Sequence, residues 1–168
     1  MFKKIKPEEI GQNLFTLLND QWMLVTAGTP EDCNTMTASW GGLGVLWRRD
    51  VAMCVVRPQR YTMEFLEREE YFTLSFFGDR CRKELALCGA KSGRDIDKVK
   101  ECGFTVAAAA GNAPYFEEAQ LVLVCRKLYW QDLEPGQFTD PAIPAECYPE
   151  KDFHRMYIGE IVEVLQKG

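Results

Sequence analysis

NTMTASWGGLGVLW, residues 34–47, is the stretch from which the fold and the site are read. In an extended segment side chains alternate between faces. Thr35, Thr37 and Ser39 then share one face, and Met36, Ala38 and Trp40 the other. Three hydroxyls on one strand face make a poor core and a good polar lining. Threonine also favours strands for its own sake, so a plain solvated face is the competing reading. Gly41, Gly42 and Gly44 follow at once, where backbone approaches a ligand or another chain segment closely. RPQRYT, residues 57–62, closes the next apolar run. Its guanidiniums, Arg57 and Arg60, suit phosphate or carboxylate. Pro58 stiffens the segment, and Thr62 is placed to open a helix whose N-terminus favours anions. The competing reading is a pair of solvated surface charges. Ser92, Gly93 and Lys98 make a second candidate cradle at another helix start, against a plain capped turn.

The rest of the chain reads mainly as strands. The spacing predicts a helix over 7–18, with Pro7 in its first turn and Ile10, Leu14, Leu17 and Leu18 on one face. Strands are expected at 22–28, 35–40, 51–56 and 71–77, and a long one over 114–130 with Glu117 and Glu118 marking a bulge or an edge. The last strand is 156–166, interrupted by Gly159. Helices are expected from Thr62 through 63–70 and from a cap at Asp79 to a stop at Gly89. Residues 92–103 read as a loop running into a short helix. The four prolines of 133–150 predict a surface loop. The strands do not alternate regularly with helices, and no GxGxxG follows any of them. An antiparallel β-barrel with flanking helices therefore fits better than a dinucleotide-binding sheet.

A chain of 168 residues with 46% apolar side chains holds one domain, 1–168, with a full core. A net charge of −5 argues against wholesale nucleic-acid binding. No apolar run reaches the ~20 residues that cross a bilayer. The N-terminus lacks the apolar region of a secretory signal, and the expected location is cytoplasmic. The seven cysteines are odd in number and form no CxxC, which reads as reduced thiols rather than a disulfide framework. The single histidine, His154, leaves no metal-ligand set and no nucleophilic triad. No constellation of side chains proposes hydrolysis. A cofactor that carries the reaction itself explains that absence.

NTMTASWGGLGVLW, RPQRYT, YFTLSFF, CGAKSGRDIDKVKE, PYFEEAQLVLVCRK and HRMYIGEI, in this order from about residue 20 to the end, resemble the flavin reductase-like, FMN-binding split-barrel family. The similarity is to its flavoredoxin-type branch. The resemblance implies a six-stranded antiparallel Greek-key split barrel, a homodimer, and FMN at or near the dimer interface. It implies that Thr35, Met36, Thr37, Ala38, Ser39 and Trp40 lie along the flavin, largely through backbone groups. Arg57, Arg60, Tyr61 and Thr62 would reach its phosphate and ribityl chain, and Ser92 and Lys98 would complete the phosphate site. His154 would lie near the flavin and the nicotinamide of NADH or NADPH. The chain departs from the pattern at AAAAGN (107–112) and RRD (48–50), which touch loops rather than the fold. Two functions follow: an oxidoreductase passing electrons from NAD(P)H through FMN to a flavin, metal or protein acceptor, or a non-enzymatic FMN-binding electron carrier serving a redox partner protein.

Overall fold

Fifteen side chains from six strands, at spacings of two in four of them, fill one apolar interior, and this alternation sets the architecture. The computed structural model describes residues 1–168. Strands β1 (Phe2–Ile5), β2 (Met23–Gly28), β3 (Cys33–Ala38), β4 (Gly41–Leu46), β5 (Arg49–Val56), β6 (Tyr71–Phe76), β7 (Val106–Ala108), β8 (Pro114–Phe116), β9 (Leu121–Asp132) and β10 (Arg155–Lys167) are joined by short helices. The main sheet is antiparallel, in the order β3–β2–β6–β9–β10–β5–β4, and β1 pairs with β10 at its far end. The β7–β8 hairpin stands apart.

Inside lie Met23, Val25 and Ala27 of β2, Met36 of β3, Ala52, Cys54 and Val56 of β5, Phe72, Leu74 and Phe76 of β6, Leu121, Leu123 and Cys125 of β9, and Tyr157 and Val164 of β10. One contiguous cluster drawn from both ends of the sheet order means that the sheet curls over itself. Yet β3 and β4, the two ends, are not hydrogen-bonded to each other, so the barrel stays split. These six strands answer the six expected, except that the run expected over 114–130 breaks at 117–120 into β8, which joins the separate hairpin, and β9; β1 and β4 bring the sheet to eight. Gly159 does not interrupt β10. It sits at a register shift against β9. A Cβ there would come within 2.8 Å of Cys125 and of the Phe72 ring, so only glycine lets the strand pass. The outer face of β2 and β9, with Leu24, Val122 and Val124, packs under Phe77, Leu85, Cys88, Phe104 and Phe116.

Four local expectations are corrected. The helix over 7–18 is broken into a 3-10 turn at Pro7–Glu9, a short α1 (Leu14–Thr16) and a π turn at Leu17–Gln21, because the Asn13 side chain caps the Phe15 and Thr16 amides and restarts the chain. Helix α2 (Thr62–Arg68) has no side-chain cap; Thr62 is buried and its hydroxyl accepts from Asn34 Nδ2 at 2.7 Å. Helix α3 (Arg82–Ala90) starts after Cys81, whose φ is 57°, not at Asp79, and runs past Gly89. The loop 133–150 holds a 3-10 turn at Pro135–Gln137 and a further short helix, Ala142–Cys147. Helix α4 (Lys98–Cys102) is capped by Asp97 and stopped by Gly103 at φ 66°. Ala142–Cys147 is α5. No helix is long and apolar enough to cross a membrane.

Candidate functional site

β3 carries the region of interest, and its two faces go to different places. Thr35 and Thr37 point outward, under the helices. The Thr35 hydroxyl lies 2.8 Å from that of Thr26, and Thr37 donates to the Leu85 carbonyl of α3. The hydroxyl ladder thus ties strand to strand and strand to helix. Gly41 is also used internally: a Cβ there would overlap the Met53 carbonyl of β5. The close approach that the glycines signal is, at Gly41, strand against strand.

Where β3 ends, a cavity of about 330 Å³ opens, lined by Met36, Thr37, Ala38, Ser39, Trp40, Val55, Arg57, Arg60, Gly89 and His154. A neighbouring cavity of about 380 Å³ shares Thr37, Ala38, Ser39 and Gly89 and extends to Trp22, Leu85 and Ala86. The two together make a groove along residues 37–39. Met36, Ala38 and Val55 supply apolar surface, and Trp40, 47% exposed, supplies a free aromatic face.

The guanidiniums both hold the walls of this groove. Arg57 pairs with Asp152 at 2.5 Å and donates to the Cys147 carbonyl at 2.9 Å. Arg60 donates to the Gly89 carbonyl at 2.7 Å and the Cys88 carbonyl at 3.4 Å, at the C-terminal end of α3. Carbonyls orient a cation without neutralising it. Burial, and then repulsion from Arg57, lower the Arg60 pKa. Lys98 adds a third cation on the same carbonyl: its ammonium donates to Cys88 O at 2.9 Å and Thr35 O at 2.8 Å. Burial is the main reason that its pKa falls to about 8. Two cations, Arg60 and Lys98, meet at this end of α3 without a carboxylate partner, whereas Arg57 is paired with Asp152.

His154 stands across the groove, with Trp40 tilted 51° to it at 5.2 Å between ring centroids. Its Nδ1 is 2.7 Å from the Tyr148 hydroxyl. Burial first, and Arg57 second, push its pKa down to about 4, against a weaker pull from Asp152. The imidazole is neutral at pH 7.

The structure does not gather all the sequence-derived candidates here. Thr35, Tyr61, Gly93 and Lys98 line a separate cavity of about 550 Å³, where Glu31, Asp32, Asp95 and Asp97 face Arg94 and Lys98. A Cβ on Gly93 would overlap the Asn34 amide, so that loop is packed onto β3. Ser92 lines neither cavity; its hydroxyl accepts from the Arg94 amide at 3.1 Å. Residues missed in the sequence are Val55, Gly89, Asp152 and Tyr148. Asp152 had a signal, two positions before His154 in KDFHR. Tyr148, in a proline-rich loop, had none.

Residues 17–168 match the model of the flavin reductase like domain, and the chain belongs to that family. None of the curated proteins matches it. Three of the solved structures that share the fold illustrate the similarity. Flavoredoxin from Methanosarcina acetivorans is 23% identical, over 88% of this chain and 68% of its own, at a TM-score of 0.68. The FMN-binding domain of a flavin reductases-like enzyme from Shewanella baltica is 18% identical, over 99% and 77%, at 0.70. An NADH:FAD oxidoreductase from Streptomyces globisporus, in complex with NAD and FAD fragments, is 15% identical, over 98% and 87%, at 0.66.

Proposed function

We propose that this chain is an FMN-binding flavoprotein that passes electrons from NADH or NADPH to a flavin, metal or protein acceptor. The observation that carries the reading is the groove at the end of β3. Its lining holds two guanidiniums, a half-exposed tryptophan and apolar side chains, and no carboxylate. A flat ring with an anionic tail matches that chemistry. The phosphate of FMN would rest between Arg57 and Arg60. Trp40 and the 36–39 backbone would hold the ring. Bound there, FMN would supply the hydride and electron chemistry that no side chain of the groove has. The chain's own part is to orient two flat ligands and keep water from them.

We extend the proposal to a homodimer. The β4–β5 hairpin presents Val45, 73% exposed, and Trp47, 54% exposed. Trp47 packs edge-on to Tyr129, 41% exposed in β9, at 6.1 Å. An apolar patch of this kind is an interface feature, and a C2 dimer is the commonest assembly. Light scattering should give twice the chain mass at micromolar concentration; a monomer with flavin bound would remove the dimer from the account.

The visible spectrum of the purified protein tests the main reading. Flavin absorbance is expected, with FMN rather than FAD recovered after heat release. FAD alone, or no uptake from excess FMN, contradicts it. NADH and NADPH oxidation by the FMN-loaded protein then separates enzyme from carrier: turnover supports the enzyme, and a bound flavin without turnover leaves the carrier.

A further inference from the structure

Tyr148 and His154 are both buried, at 4% and 8% exposure, and their contact at 2.7 Å joins the phenol to Nδ1. The phenol is held from several sides. It stacks on Phe153 at 4.7 Å between centroids and 29° between planes, and Phe138 lies at 6.0 Å. The Arg57 guanidinium sits over its ring at 5.1 Å. A phenol clamped in this way does not search for partners, and Nδ1 is the one side-chain acceptor that its O–H meets.

Two proton arrangements satisfy the contact. In one, the phenol donates to Nδ1 and the imidazole carries its proton on Nε2. In the other, Nδ1–H donates to the phenolic oxygen, and the phenol's own proton is buried without an acceptor. A buried unsatisfied donor is costly, so the first arrangement wins. With Nδ1 occupied, Nε2 is the nitrogen left for the groove that His154 lines.

We propose that Tyr148 is a positioning residue that fixes His154 as the Nε2–H tautomer, so that the groove is offered a hydrogen-bond donor and not a base. The ligand class this selects is a planar ring bearing an acceptor, such as a carbonyl or carboxamide oxygen. The charged groups facing the imidazole are Arg57 and Asp152, themselves paired; burial first, and Arg57 second, keep it neutral. The identity of the ligand rests on the flavoprotein reading; the tautomer is a property of the chain alone.

The chain has one histidine, so 15N-histidine labelling reports on His154 without assignment. In the flavin-free protein at pH 7 the spectrum should show a protonated Nε2 and an unprotonated, hydrogen-bonded Nδ1. Tyr148→Phe keeps the ring and its stacking and removes only the hydroxyl. In that variant the ratio of Nε2–H to Nδ1–H should fall by about five- to a hundredfold, with an Nδ1–H population becoming visible. An Nδ1–H signal dominating in the wild type overturns the proposal, and so does a Tyr148→Phe ratio equal to the wild type's. If circular dichroism shows that the variant is unfolded, the wild-type tautomer decides. Absence of FMN uptake would remove the flavin reading and leave this result standing.

Discussion

The two cavities along β3, one at residues 33–35 and one at 36–40, are built from the same strand and differ in charge. The larger one sets four carboxylates, Glu31, Asp32, Asp95 and Asp97, against Arg94 and Lys98. The groove at the end of the strand has Arg57 and Arg60 and no carboxylate in its lining. Both contain residues that read as phosphate cradles in the sequence. The difference teaches that a basic residue marks an anion site only when its neighbours leave its charge uncompensated. Arg94 is spent on Glu64 and on the Tyr61 ring. Arg60 touches only carbonyls and keeps its charge for a ligand.

The comparison breaks first at Arg60. Arg60→Ala should weaken FMN binding on the order of ten- to a hundredfold, from the loss of about 1.5–3 kcal/mol in a charge-assisted contact. Riboflavin, without the phosphate, should change much less. Calorimetric titration of both ligands checks this, and equal weakening would show a general loss of structure.

Asp152 sharpens the comparison in the opposite direction. It holds Arg57 and accepts from Gln59 at 2.7 Å. Asp152→Asn frees the Arg57 charge and should raise FMN affinity roughly two- to fivefold, the scale of a partly exposed ion pair. A tenfold fall would mean that Asp152 is needed to orient Arg57 rather than to quench it.

His154 gives a stability test of the same groove. Its folded pKa of about 4 lies below the unfolded value near 6.5. The unfolded chain therefore binds more protons between those values, and stability rises with pH across that window. It is lost as pH falls from about 6.5 towards 4. Urea midpoints at pH 4.5 and 7 should differ less in His154→Gln than in the wild type. An unchanged difference would place the acid sensitivity elsewhere.

The smallest effect belongs to the acidic cavity. Arg94→Ala breaks an exposed pair with Glu64 and should cost under about 1 kcal/mol of stability. FMN affinity should not change. A loss matching that of Arg60→Ala would move the anion site to the other end of β3.

The fold was legible because its strands read as short β-prone apolar runs, such as VAMCVV in β5 and LVLVC in β9, bounded by turn residues. What escaped were features decided by tertiary contact. Gly159 reads as a break in a strand and is a place where Phe72 and Cys125 leave no room. Thr62 reads as a cap and is instead spent on Asn34. Arg57 and Arg60 stand out in the sequence, but their partners lie 95 and 29 residues away, at Asp152 and Gly89. Tyr148 offers no local pattern at all, since its role depends on how a proline-rich loop folds back against β10.

The central claim is that the groove beside residues 36–40 reads a phosphate on a flat ring. The direct measurement is the ratio of FMN to riboflavin affinity for the wild-type protein at low salt. The account predicts FMN binding tighter by at least about tenfold, a difference of ~1.4 kcal/mol from contacts to the phosphate alone. Equal affinities, or no binding of either, would contradict it.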